Sequence, residues 1–174
     1  MRAPLLRRAG AAAAVAGAAA VALTASAGGA TNHPAITPKG VGPIKIGATA
    51  ASLQAKGLIT KLTKGCELAG PNTRSAGIKT FNGTVGFTRS TPRRVNVISV
   101  NGEGPQARGV GLGDRLADIR KAYKVVKVDK RQRGTFGGDF VTIPKKAGGK
   151  IMFFIDKGTH TITQIGVPII PVCE

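Results

Sequence analysis

The most constraining feature of this sequence is a short pattern that occurs twice, 66 residues apart. Residues 44–53 (IKIGATAASL) align with residues 110–119 (VGLGDRLADI). Gly-Val-Gly precedes the first copy at 40–42 and overlaps the start of the second at 109–111. Each copy places an apolar residue before a glycine, then an alanine and an aliphatic residue at matching positions. An internal repeat sets the architecture before any local signal does, so we expect two similar units in tandem.

Each copy is typical of an extended segment that turns at a glycine into a helix. In the first copy, Thr49 is placed to cap the free amides of the first helical turn. The equivalent position in the second copy is Arg115, so Asp114 or Asp118 is expected to cap instead. Apolar residues at helical spacing then predict one buried stripe on the second helix. They are Leu116, Ile119, Tyr123 and Val126.

After each predicted helix the pattern changes to that of strands. Asn82-Gly83 is a strong signal for a tight hairpin between residues 78–81 and 84–88. Further strands are predicted over 95–100, 140–143, 151–155 and 161–167. The predicted fold class is α+β. It consists of two tandem repeats, each a short helical segment followed by a small antiparallel sheet, with the helices packed on one sheet face.

The N-terminus has the composition of a secretory signal peptide. Arg2, Arg7 and Arg8 precede an apolar run over residues 9–23, and Ala25-Ser26-Ala27 supplies the small residues of a cleavage site. The run is shorter than the roughly 20 residues that cross a bilayer. We predict export, by the general secretory or the twin-arginine route, and cleavage before Gly28.

These patterns divide the chain into four parts. Residues 1–27 are the signal peptide and 28–38 an extended lead-in. The first helix-plus-sheet repeat covers 39–100 and the second covers 101–174. No later apolar stretch has the length of a membrane span.

The charge of the chain is strongly positive. The full sequence carries +18, and the predicted signal peptide holds three of its 26 basic residues and none of its eight acidic ones, which leaves +15 after cleavage. Such a field favours polyanions, for example teichoic acid, acidic lipid or nucleic acid. The alternative is that the charge only keeps an exported protein monomeric.

Seven basic residues are concentrated between positions 120 and 133, against Asp129 alone. Such a run is either a solvated helix face or a site for phosphate groups. Aromatic residues between the charges are lacking, apart from Tyr123 in the apolar stripe, so sequence-specific nucleic-acid binding is not expected. The candidate polyanion-binding residues are Arg120, Lys121, Lys124, Lys127, Lys130, Arg131 and Arg133.

The two cysteines, Cys66 and Cys173, both lie after the predicted cleavage site. In an oxidising compartment an even count indicates a disulfide, with two free thiols as the alternative. Their separation and the scarcity of histidine do not indicate a metal site.

No group of residues has the pattern of an active site. The glycines over 109–113 fit neither the dinucleotide fingerprint nor the phosphate-binding loop. The two histidines, His33 and His160, have no nucleophile or carboxylate at a suggestive spacing. We therefore predict no catalytic residue, no metal, no cofactor and no enzymatic activity.

The sequence resembles the β-lactamase inhibitor protein and related secreted actinobacterial proteins. Residues 46–49 (IGAT) are similar to the glycine-turn entry of that superfamily, and residues 111–123, which end in Ala122-Tyr123, are similar to a second repeat. The resemblance implies a scaffold that binds another protein with a concave sheet and loops. Because the chain has six Phe, one Tyr and no Trp, no inhibitory residue is carried over.

Two functions follow as expectations. The first is a secreted, non-enzymatic binding module for an unknown protein partner, found outside the cell or on the cell wall. The alternative is a polyanion-binding protein of the cell envelope.

Overall fold

The computed structural model describes residues 33–67, 70–144 and 149–172. These residues all belong to one compact unit, Asn32–Glu174. The predicted signal peptide and Cys173 lie outside the described residues.

The chain enters the fold through a three-stranded antiparallel meander. Its strands are β1 (Ile36–Thr37), β2 (Gly40–Val41) and β3 (Ile44–Lys45). Gly40 allows the close approach of β2 to β3, because a Cβ at this position would overlap the carbonyl oxygen of Ile44. The meander contributes Ile36, Val41 and Ile44 to the buried core.

The first helix begins where the sequence predicts it. Gly47 has φ +86°, a conformation suited to glycine, and α1 (Ala50–Ala55) follows directly. Thr49 Oγ1 accepts a hydrogen bond of 3.2 Å from the Ser52 amide, so the predicted cap is confirmed. Leu53 is buried in the core.

The second helix begins with the same backbone turn and a different cap. Gly113 also has φ +86°, and α2 (Leu116–Ala122) follows it. Asp118 Oδ2 accepts a hydrogen bond of 3.0 Å from the Arg115 amide, which confirms the expectation that an aspartate replaces the threonine. Ile119 and Tyr123 of the predicted stripe are buried, and Leu116 and Val126 pack against the same core.

The rest of the fold is dominated by one antiparallel sheet of eight strands, with a short helix, α3 (Arg133–Phe136), before its longest hairpin. The spatial order of the strands is β4-β5-β6-β7-β11-β10-β9-β8. Their bounds are β4 (Thr63–Lys64), β5 (Arg74–Gly77), β6 (Gly83–Phe87), β7 (Val95–Val100), β8 (Lys127–Asp129), β9 (Gly138–Pro144), β10 (Lys150–Asp156) and β11 (Ile162–Val167). We call β4–β7 the first half of the sheet and β8–β11 the second half.

This architecture shows that the predicted fold class is wrong. The strands do not form two small sheets in two repeats, because β7 and β11 pair with each other, with Val100 opposite Ile165 and Ile98 opposite Val167. An unpaired strand edge leaves backbone N–H and C=O groups without partners, and the pairing of β7 with β11 satisfies them. The result is a single, mainly β structure with one continuous sheet.

The individual strands agree better with the sequence. The strand predicted over 95–100 is confirmed as β7, and those predicted over 140–143, 151–155 and 161–167 correspond to β9, β10 and β11. The predicted hairpin at Asn82-Gly83 is wrong in register: β5 ends at Gly77, and a longer loop closes where the Ile78 amide donates to the Gly83 carbonyl, 2.9 Å away. Gly83 is therefore the first residue of a strand.

One face of the sheet carries the core. Its strands supply alternate apolar side chains, and α1 and α2 pack on the same side, since Leu53 and Ile119 belong to the same buried cluster. Residues between these core positions point to the opposite side, which we call the open face. In the first half they include Ser75, Thr84, Gly86 and Ser99, and in the second half Phe140, Thr142, Met152 and Phe154.

Candidate functional site

The open face of the first half is covered by the chain itself. After β11, residues 168–172, which we call the C-terminal segment, turn back over the sheet. The turn passes so close to Gly166 that a Cβ there would overlap the Ile169 carbonyl oxygen and lie 2.6 Å from the Ile170 nitrogen. Ile170 is 6% exposed and Ser99 beneath the cover only 2%. The small side chains of this half therefore make room for a chain segment.

A cavity of about 780 Å³ remains between the C-terminal segment and the first half of the sheet. Its apolar wall includes Val97, Ile169 and Ile170, and Ser75 and Thr84 supply hydroxyl groups. Among the polar groups, Ser99 Oγ is satisfied by Gln164 Nε2 at 2.7 Å.

The predicted disulfide lies at the end of this segment. Cys66 Sγ is 3.8 Å from the carbonyl oxygen of Val172, the residue directly before Cys173. Because Cys173 lies outside the described residues, the Cys66–Cys173 disulfide stays a prediction. The contact with Val172 places Cys66 beside the chain that leads to its predicted partner.

The open face of the second half carries an aromatic patch, defined as Phe136, Phe140, Phe154 and Met152. The ring centroids of Phe136 and Phe140 are 5.7 Å apart in an edge-to-face arrangement, and those of Phe140 and Phe154 are 5.1 Å apart. All four side chains are partly exposed. The patch thus brings half of the six phenylalanines of the chain to one surface.

Two local features position these rings. Gly138 lies under Phe154, and a Cβ at Gly138 would lie 2.5 Å from that ring, so glycine leaves the space in which the ring packs. Helix α3 ends at Phe136, and Gly137, with φ +71°, caps it. Two hydrogen bonds from the Arg133 guanidinium to the Asp139 carboxylate hold α3 to β9, one of them 2.6 Å long from Nε to Oδ1.

The ion pair of α3 also affects titration. Hydrogen bonding from Arg133 lowers the pKa of the Asp139 carboxyl from its ordinary value of 3.8, although partial burial opposes this shift. Asp139 is therefore ionised at neutral pH while it lies nearly buried in the sheet.

Lysines lie around the aromatic patch, and the carboxylates near it are already engaged. Lys127 stands opposite Thr142, and Lys150 stands opposite Pro144, both on the open face. Arg131 donates to Asp129 at 2.7 and 3.0 Å, and these hydrogen bonds lower the pKa of Asp129 to about 2. Asp156 Oδ1 accepts from the Gly158 and Thr159 amides of its own turn, at 2.9 and 2.8 Å.

The seven predicted polyanion-binding residues do not form one face. Arg120 and Lys121 lie on α2, which packs on the core side of the sheet, whereas Lys127 points to the open face because its neighbour Val128 packs on the core. Lys124 and Lys130 are exposed on either side of β8 in the chain. Arg131 and Arg133 are paired with aspartates. The described residues contain no ion pair of the other five, Arg120, Lys121, Lys124, Lys127 and Lys130.

Residues 33–67, 70–144 and 149–172 contain no group of three or more His, Cys, Asp or Glu side chains arranged to hold a metal ion. His33 and His160 are both exposed. Over the same residues, no helix is long and apolar enough to cross a membrane.

Comparison with known proteins adds no relative. No family matches this chain, and no curated protein or solved structure is significantly similar to it. The resemblance to the β-lactamase inhibitor protein therefore stays a hypothesis that rests on short glycine-turn motifs.

Sequence reasoning missed the aromatic patch, although a signal for it was present. Phe153 and Phe154 are adjacent in a strand, so only one of them can face the core. Phe153 is fully buried, and Phe154 is therefore on the open face. Phe140 lies opposite Phe154 in the next strand, a register that the sequence does not give.

Proposed function

We propose that this protein is a secreted, non-enzymatic module that binds another protein through its aromatic patch. The observation that carries the proposal is the cluster of Phe136, Phe140 and Phe154 on the open face, where all three are partly exposed and Phe140 contacts the other two rings. Aromatic side chains and methionine are enriched in the centres of protein interfaces, where they exclude water and contribute most of the binding energy.

The surroundings of the patch support the same function. Protein interfaces combine an apolar centre with a polar rim. Here Lys127 lies in the row of Thr142 and Met152, next to the row of the rings, and Lys150 lies one row further along the same face. Phe140 and Phe154 are held on paired strands, which fix them more rigidly than a loop would. A preorganised surface of this kind loses little conformational entropy when a partner binds.

The proposal is tested with the expected secreted form, residues 28–174, used to capture partners from the culture supernatant and wall fraction of the organism that produces it. A Phe140→Ala/Phe154→Ala variant should lose the captured protein. The matched control is Arg120→Gln/Lys121→Gln, which changes two exposed residues of α2 on the other side of the sheet and should retain it. Equal capture by the wild type and the phenylalanine variant would contradict the proposal.

A second candidate function is polyanion binding at the cell envelope, which is favoured by the five unpaired basic side chains. If about four phosphates are engaged, affinity should fall roughly 100-fold between about 50 and 200 mM salt. A Lys124→Gln/Lys127→Gln/Lys130→Gln variant should then leave isolated cell walls more readily than the wild type. Identical retention of the two proteins at both salt concentrations would rule this function out.

A further inference from the structure

The charges around the aromatic patch are unbalanced. On the open face of the second half, Asp129 is neutralised by Arg131, and the Asp156 carboxylate is bound by the amides of its own turn. Within the part of the chain that the structure describes, no carboxylate pairs with Lys127 or Lys150. The aromatic patch therefore shares the open face with two lysines that have no ion-pair partner among the described residues, and with one carboxylate, Asp156, that keeps its negative charge while its own turn binds it.

The other half of the sheet shows how a chain segment lies on this kind of face. The C-terminal segment crosses the first half and buries Ile170 against small side chains. No described segment lies over the aromatic patch in the same way. A second copy of this protein is a poor occupant, because two chains with a charge of about +15 each repel one another.

We infer that the aromatic patch binds an acidic polypeptide segment that carries apolar side chains. This inference rests on the proposed function and names the chemistry of the partner. The apolar side chains of the segment pack against Phe140 and Phe154, and its carboxylates lie toward Lys127 and Lys150. Complementary charge of this kind selects the partner and speeds association, while the rings supply the apolar contact.

The test uses a library of short random peptides that are selected for binding to residues 28–174, and each enriched peptide is then also measured against the Phe140→Ala/Phe154→Ala variant. The affinity of the most enriched peptides is then measured by fluorescence anisotropy. We expect these peptides to be acidic and to contain aromatic or aliphatic residues.

Two charge-reversed variants decide whether the lysines at the patch matter. Lys127→Glu/Lys150→Glu should weaken binding by about tenfold or more, because both charges face the bound segment. Arg120→Glu/Lys121→Glu makes the same change in net charge on α2, behind the sheet, and should alter affinity less than about twofold, because salt and distance screen it. Circular dichroism and urea midpoints check that each variant is folded.

The outcomes separate this inference from the proposed function. If the enriched peptides need Phe140 and Phe154 but are neutral or basic, the acidic partner is refuted and the protein-binding function stands. If acidic peptides bind without dependence on the rings, and both charge-reversed variants weaken them equally, the interaction is general polyanion binding. In that case both the inference and the proposed function fail.

Discussion

The two halves of the open face differ in the size of their side chains and in whether another part of the chain covers them, although they belong to one sheet and share one core. The first half presents Ser75, Thr84 and Ser99, and the C-terminal segment lies over it. The second half presents Phe140 and Phe154, which remain partly exposed. Small side chains occur where another part of the chain approaches closely, and large ones occur where no described segment does. This difference is the reason why we propose that a partner binds to the second half.

The largest expected effect concerns the disulfide that would attach the end of the C-terminal segment to the first half of the sheet. If Cys66 and Cys173 form a disulfide, the Cys66→Ser/Cys173→Ser variant should lose up to roughly 4–5 kcal/mol of unfolding free energy. The bridge closes a loop of roughly 100 residues, and without it the unfolded chain gains conformational entropy. Urea unfolding measures the loss, and non-reducing peptide mapping of the exported protein shows whether the bridge exists. Free thiols at both positions would refute the disulfide.

The next effect compares two adjacent phenylalanines on opposite faces of β10. Phe153 is fully buried, so Phe153→Ala should cost about 3–5 kcal/mol. Phe154 is partly exposed and loses mainly its ring contacts with Phe140, so Phe154→Ala should cost about 1 kcal/mol. Similar losses in chemical denaturation would mean that Phe154 is part of the core and not of a binding surface.

A smaller effect is expected from two neighbouring isoleucines of the C-terminal segment, one buried and one exposed. Ile170→Ala should lower the unfolding free energy by about 2–3 kcal/mol, because this side chain is 6% exposed. Ile169 is 44% exposed, and Ile169→Ala should cost less than about 1 kcal/mol. If the two variants have the same urea midpoint, the C-terminal segment does not pack on the first half.

The smallest effect concerns the ion pair that holds α3 beside the aromatic patch. Arg133 lowers the pKa of Asp139 in the folded state. The pair therefore stabilises the protein fully at pH values above 3.8, the pKa of this carboxyl in the unfolded chain. This contribution is lost as the pH falls through the lower folded pKa. The stability difference between the wild type and Asp139→Asn should therefore shrink below about pH 4.

The arginine variant provides the control for this pH dependence. Arg133→Gln removes the partner that lowers the pKa of Asp139. The stability difference between Arg133→Gln and the double variant Arg133→Gln/Asp139→Asn should therefore not shrink below about pH 4. A stability difference that is constant down to pH 2 in the wild-type background would contradict the assignment of the pair.

The basic run between positions 120 and 133 shows why a linear pattern is a poor guide to a surface. In sequence, Lys121 and Lys127 belong to one cluster of charge. In the structure, one lies on a helix on the core side, and the other points away from the core on β8. Because side chains alternate in a strand and rotate around a helix, neighbouring residues are separated by the sheet.

The sequence by itself determined where the two longer helices of this protein begin. Glycine at 47 and 113, the capping residues Thr49 and Asp118, and the apolar stripe on Ile119 were sufficient to predict both helix starts, because turns and caps depend on residues within a few positions of each other. The strand over 95–100 was predicted as well, and four of its six residues are β-branched, a type that favours strands.

Tertiary structure alone decided how these pieces combine. The pairing of β7 with β11 made one sheet instead of two, and the register of β9 with β10 placed Phe140 beside Phe154. The return of the chain at Gly166 covered one half of the open face and left the other exposed. These features arise from contacts between residues far apart in the chain, whose pairing depends on the packing of the whole core and not on any local pattern.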